Sequence, residues 1–195
     1  MGLVALVVML VLGVFSAGPA SAALFLWTGP LPALILVLND NNQVFTAEET
    51  FAVTCRHFGA HGVTPSTGMS SGLVIITGTY SKCEATGNPG AVTITPVEYH
   101  ILANGLVAIS KPIVITIAGL GKCSLKLSPG GANSHLEKLR FLNQPEDLLV
   151  HAEVESITST ASGGICGTAG VEKPNGTYFG LFLVWVDGGT LKWHP

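Results

Sequence analysis

The chain has 195 residues, 48% of them hydrophobic and 11% charged, with a formal net charge of −3. Apolar content this high excludes intrinsic disorder, and nine Lys and Arg residues scattered without a basic stripe leave no electrostatic footprint for nucleic acid. Charged residues fall far below the usual quarter, so Ser, Thr, Asn and Gly must cover much of the outside.

At the N-terminus, Leu3 to Phe15 is apolar apart from Gly13, and Ala20-Ser21-Ala22 follows as the small-x-small pattern of a cleavage site. Residues 1–22 therefore read as a signal peptide, a short helix, and 23–195 as a single domain. The leader departs from the usual pattern in having no Lys or Arg before its apolar run. An uncleaved anchor is the competing reading, but the run is short for a span and Gly18-Pro19 interrupts its extension. No stable membrane span is expected after cleavage, and the expected location is secreted or cell-wall-associated.

Two apolar strands, Leu24–Trp27 and Ala33–Leu38, come next, separated by Thr28-Gly29-Pro30. Asn39-Asp40-Asn41-Asn42 makes a turn into Val44–Thr46, and Phe51–Cys55 alternates as a half-buried strand should. His57–Gly72 reads as a Gly-, Ser- and Thr-rich loop before the β-branched strand Leu73–Tyr80. The central stretch, Val92–Cys123, holds the clearest signals. Asn104-Gly105 between apolar runs predicts a hairpin, because its turn needs residues that tolerate positive φ. Ile113, Ile115 and Ile117 then share one face of a strand.

Beyond Cys123, His135–Asn143 fits either a helix or a strand, and its surroundings favour a strand. Leu148–Ile157 places Val150, Ala152 and Val154 on one face and His151, Glu153 and Glu155 on the other. Ser159–Asn175 reads as a long connection, Thr177–Val186 as the last long strand, and Asp187-Gly188-Gly189 as the turn of a closing hairpin. Ten to twelve strands predict an all-β fold, an antiparallel β-sandwich or flattened barrel.

Four cysteines in an exported chain predict two disulfides among Cys55, Cys83, Cys123 and Cys166, with three connectivities open. Cys55–Cys83 and Cys123–Cys166 are favoured because each pair bounds one run of strands, closures the loop-entropy model values at about 3.5 and 4 kcal/mol. No metal or other cofactor is expected. Cys55-x-His57-x3-His61 is the one metal-like spacing, and it would require Cys55 to leave its disulfide.

Gly68-Met69-Ser70-Ser71-Gly72 matches the nucleophile-elbow string, but a β-branched strand follows where a helix is needed. His57 and His61 are candidate general bases without an acidic neighbour in sequence, and otherwise solvated histidines. Glu153 and Glu155 share a strand face, as paired acids do in some glycosidases, or are simply its wet side. The tryptophans and tyrosines offer a carbohydrate platform if they gather on the surface, with Trp193 the best exposed candidate and Trp185 expected in the core. Asn175-Gly176-Thr177 is a glycosylation sequon or a plain turn.

The strings FLWTGP (Phe25–Pro30), QVFTA (Gln43–Ala47), CRHFGAHG (Cys55–Gly62), TGTYSKC (Thr77–Cys83), KPIVIT (Lys111–Thr116), GGICG (163–167) and NGTYFG (Asn175–Gly180) resemble a family of uncharacterised, exported, β-rich actinobacterial proteins. The resemblance implies secretion and a compact β-rich domain, and carries no activity. The expected function is a non-enzymatic binding or structural role at the cell surface, with a cell-wall or extracellular glycan as the partner considered. The alternative is a secreted hydrolase using His57, His61 and the Glu153/Glu155 face.

Overall fold

The computed structural model describes residues 24–47, 51–64, 74–119, 123–128, 135–136, 138–163, 166 and 169–195. The leader and the Gly68–Gly72 string lie outside the described residues. Every regular element described is a β-strand, fifteen in all where ten to twelve were expected. They are β1 (Leu24–Thr28), β2 (Leu34–Asn39), β3 (Gln43–Ala47), β4 (Phe51–Val63) and β5 (Val74–Ala85). The middle of the chain gives β6 (Val92–Ile94), β7 (Val97–Ile101), β8 (Val107–Ile109), β9 (Ile113–Ile117) and β10 (Cys123–Ser128). The last five are β11 (His135–Leu136), β12 (Leu139–Asn143), β13 (Leu148–Ser162), β14 (Glu172–Val186) and β15 (Thr190–His194).

Thirteen strands form one antiparallel sheet in the order β11-β8-β7-β5-β4-β2-β14-β13-β10-β9-β6, with β3 between β4 and β14 and β12 on β13. The sheet curls around its own interior. At one end β6 packs beside β5. At the other, β12 follows β11 within three residues and pairs with β13, bringing the two sides of the sheet together. The inward set is a single apolar core that includes Ile35, Phe45, Val53, Val74, Ile115, Leu125 and Leu148.

The extra strands come from interruptions. Residues 40–42, expected to turn the chain, do not reverse it: β2 and β3 both run antiparallel to β4 and β14 and form one broken strand. Asn39 repairs the break. Its Nδ2 donates to the carbonyls of Asn41 (2.7 Å) and Arg56 (2.8 Å), and its Oδ1 accepts from the Phe58 amide (2.9 Å). A short polar side chain thus supplies partners that the ladder lacks there.

Elsewhere the strands extend past their expected ends. His57–Val63, read as loop, continues β4 because β2 and β5 pair it on both sides, which overrides the weak strand preference of Gly59 and Gly62. β13 and β14 pair across Ser159–Thr160 and Glu172–Lys173, within what was read as a connection, and the Asn175 sequon lies in β14, not in a turn. The expected hairpin forms at Asn104-Gly105, but with only Gly105 at positive φ (+79°): the turn is closed by the Gly105 amide on the Leu102 carbonyl (3.0 Å) and is not the one in which both residues take positive φ. The closing hairpin does not form: β15 leaves the main sheet and pairs with β1 in a separate two-stranded ribbon.

Among the described residues three non-glycines hold positive φ, Lys82 (52°), Lys138 (59°) and Ser156 (57°). At each of them the spacing of inward side chains slips from two to three: Tyr80 and Cys83 both face the interior, as do Leu136 and Leu139, and Val154 and Ile157. Such bulges bend and twist the strand that carries them, which suits a sheet wrapped around one core.

Both favoured disulfides are formed. Cys55 and Cys83 lie directly opposite on β4 and β5, and Cys123 at the start of β10 is joined to Cys166 beyond the end of β13.

Candidate functional site: an apolar cavity with a buried tyrosine relay

Inside the curled sheet is a cavity of about 90 Å³, bordered by inward side chains of β2, β4, β5, β7, β8 and β11 to β14. Phe25 of β1 and Leu191 of β15 complete its wall. Among the described lining residues no polar atom surfaces in it. A second space of about 20 Å³ lies beyond, and the rings of Tyr99 and Tyr178 border both.

Between the two spaces sits the main polar feature of the core. The hydroxyls of Tyr80 and Tyr99 are 2.5 Å apart, Tyr80 reaches Tyr178 at 3.3 Å, and Tyr178 donates to Oε1 of Gln43 at 2.5 Å. Gln43, 0% exposed, donates its Nε2 to the carbonyls of Asn41 (3.0 Å) and Leu181 (3.3 Å). Those two carbonyls fix the amide so that its oxygen must accept. Tyr178 therefore uses its proton on Gln43, Tyr80 donates to Tyr178, and Tyr99 donates to Tyr80. The relay runs one way, and each phenolic proton has an acceptor.

Burial pushes all three phenols well above their ordinary pKa near 10, and neighbouring phenols add to it. The rings pack among Phe45, Phe58 and Phe182, with centroids 4.7 Å apart for Phe45–Tyr178 and for Phe58–Tyr80. The sequence places them through a repeated triplet. Gly78-Thr79-Tyr80 and Gly176-Thr177-Tyr178 each put a glycine two residues before an inward tyrosine, on the same face. A Cβ at Gly78 would lie 2.6 Å from the Phe58 ring, so the missing side chain is what lets that ring in. The triplet was the available signal for an internal site.

The β1–β15 ribbon lies along the cavity and lends it Phe25 and Leu191. Trp193 packs its ring against Phe25 (4.8 Å) and Phe141 (4.7 Å), half-buried, so it is not the exposed platform expected. The ribbon has no ladder to the main sheet. It is held by the Phe25 amide on the Ala103 carbonyl (3.2 Å), by Lys192 on the Gln144 carbonyl, and by Asn143, which accepts from the Trp193 amide (2.7 Å) and donates to its carbonyl (2.8 Å). Replacing Asn143 by Ala removes both bonds of that clamp. The expected result is a loss of about 1–2 kcal/mol and faster amide hydrogen exchange at Trp193, with the β4 and β5 amides unchanged. Equal acceleration throughout would show that the ribbon does not move separately.

The residues singled out by their chemistry are not brought together. His57 and His61 are exposed on the outer face of β4, whereas Cys55 is buried and bonded to Cys83, so the Cys-x-His-x3-His spacing points to both sides of the sheet and forms no metal set. Among the described residues no group of three His, Cys, Asp or Glu is placed to hold a metal ion. Glu153 lies opposite Phe179, which lies opposite Val44, itself opposite Thr54 of β4. Three strand spacings, roughly 14 Å, therefore separate the carboxylates from the strand that carries the histidines. Glu155 is taken by an exposed ion pair with Lys138. His151 stands edge-on to Phe179 at 5.4 Å. The carbohydrate platform is not assembled either: all three tyrosines point inward, and Trp185, expected in the core, faces outward beside Leu36 because Val184 and Val186 take the inward phase. Comparison with family models, curated proteins and solved structures finds no match.

Proposed function

We propose that this chain is a secreted or cell-wall-associated, non-enzymatic flattened barrel that holds an apolar ligand in its interior at the cell surface. The apolar cavity carries the reading, because ligand sites are concave and lined mainly by apolar side chains. Two disulfides, with no free cysteine among the described residues, suit an oxidising compartment outside the cytoplasm, as do the apolar leader and the resemblance to exported β-rich proteins. The hydrolase alternative draws no support from residues on different strands that share no hydrogen bond.

The test is to express the chain with its own leader, recover it from medium, wall and membrane fractions, and extract the folded protein with organic solvent. The expected outcome is a chain that begins near Ala23, an apolar compound released on unfolding, and no turnover of chromogenic ester, peptide or glycan substrates. Turnover that disappears on His57→Ala or Glu153→Gln would overturn it in favour of the hydrolase.

A further inference from the structure

We propose that the cavity takes the bare hydrocarbon end of an amphiphile, tail first, responding to carbon count and indifferent to the head group. The proposal rests on the apolar-holder reading above and specifies its ligand. Tyr99 and Tyr178 contribute rings to the cavity, but their hydroxyls are turned into the relay and their protons are already taken by Tyr80 and Gln43. A polar group carried inside would lose its water and find no partner. None of the described lining residues is charged, so an ionised head would stand uncompensated there. The relay is therefore what keeps the cavity blind to head groups: it satisfies polar atoms among themselves so that only ring edges and methyls face the space.

Size sets how much of the chain enters. A cavity of about 150 Å³ accommodates benzene, so by proportion 90 Å³ holds about four carbons. The remainder must leave through the wall. The β1–β15 ribbon is the part of that wall without a ladder to the main sheet, and it contributes Phe25 and Leu191. A chain displacing those two side chains would keep its head in water outside the ribbon.

The experiment follows the methyl chemical shifts of Ile76, Val107 and Val184 in the full chain under pressurised xenon and then with n-alkyl probes. Xenon is expected to give saturable shifts. Affinity of 1-alkanols should rise about fourfold per carbon until the cavity is filled and less steeply beyond. Octanol, octanoate and octyltrimethylammonium should agree within about threefold. Ala152→Leu, which puts a larger side chain on the lining, should weaken xenon and octanol alike by at least about tenfold; if that variant does not fold, the head-group series on the native chain decides alone. A tenfold or greater preference among the three octyl heads would overturn head-group indifference and leave the apolar-holder reading standing. An absence of both xenon shifts and alkyl binding would show a packing void and remove both.

Discussion

Taken above pH 10, the folded chain is expected to show no phenolate absorbance until it unfolds, and then to show that of Tyr80, Tyr99 and Tyr178 together. These are all the tyrosines it has. The sign follows from burial. Each phenol has its pKa raised in the fold, chiefly by desolvation, while the unfolded chain ionises near the ordinary value of about 10. Below that value both states keep the proton and stability is full. Above it the unfolded chain releases protons that the folded chain retains, and stability falls. Each group contributes about 1.4 kcal/mol per pH unit, so three together give about 4 kcal/mol per pH unit. Unfolding should therefore be steep, with the near-ultraviolet phenolate band and the loss of the far-ultraviolet β-signal rising on one curve. A tyrosine that titrates reversibly near pH 10 while the β-signal persists would show that its hydroxyl is open to water.

Gln43→Leu is expected to lose about 3 kcal/mol. Leucine has nearly the same volume and the position is fully buried, so the cost comes from the polar partners left behind. Tyr178 loses its acceptor, and the carbonyls of Asn41 and Leu181 lose a donor. A buried group left unsatisfied costs about 1–3 kcal/mol. Turning the relay around does not help, because the surplus proton then falls on Tyr99, which has no acceptor beyond it. The direction of the relay also ranks the phenylalanine variants. Tyr99→Phe removes only a donor at the start of the chain and should cost least. Tyr178→Phe strands both the Gln43 oxygen and the Tyr80 proton and should cost most. Denaturant midpoints of the three variants would check this, and equal costs for Tyr99→Phe and Tyr178→Phe would refute the one-way order. Gln43→Glu adds a control. Its protonated acid can accept from Tyr178 and donate to a backbone carbonyl, so it should be close to native near pH 4 and lose stability as the pH rises and the buried acid must ionise.

The β-class of the fold, the Asn104-Gly105 hairpin and the inward face of Ile113, Ile115 and Ile117 were legible because each is a local pattern: alternation with a period of two, or a turn that needs positive φ. Both disulfides followed from which strand runs the cysteines bound. Where strands ended was not legible. His57–Val63 and the flanks of Ser159–Asn175 hold few strand-forming residues, and ladders to distant partners keep them extended. The phase along His135–Asn143 was equally hidden, since Lys138 in a left-handed conformation lets Leu136 and Leu139 share an interior face at helical spacing while Leu139 and Phe141 share it at strand spacing.

The cavity and its relay belong wholly to tertiary structure. Gln43, Tyr80, Tyr99 and Tyr178 are spread over more than half the chain, and nothing in their individual neighbourhoods says that their polar ends meet. Sequence determined which residues were apolar, where the Asn104-Gly105 turn fell and that the chain would be a stapled β-domain, because those properties depend on neighbours a few positions apart. Only the closing of the sheet decided that the aromatic residues would line an interior and not a surface, and that the histidines and carboxylates would stay on separate strands. Closure depends on pairings between residues more than a hundred positions apart, such as Thr46 with Thr177, which local spacing does not register.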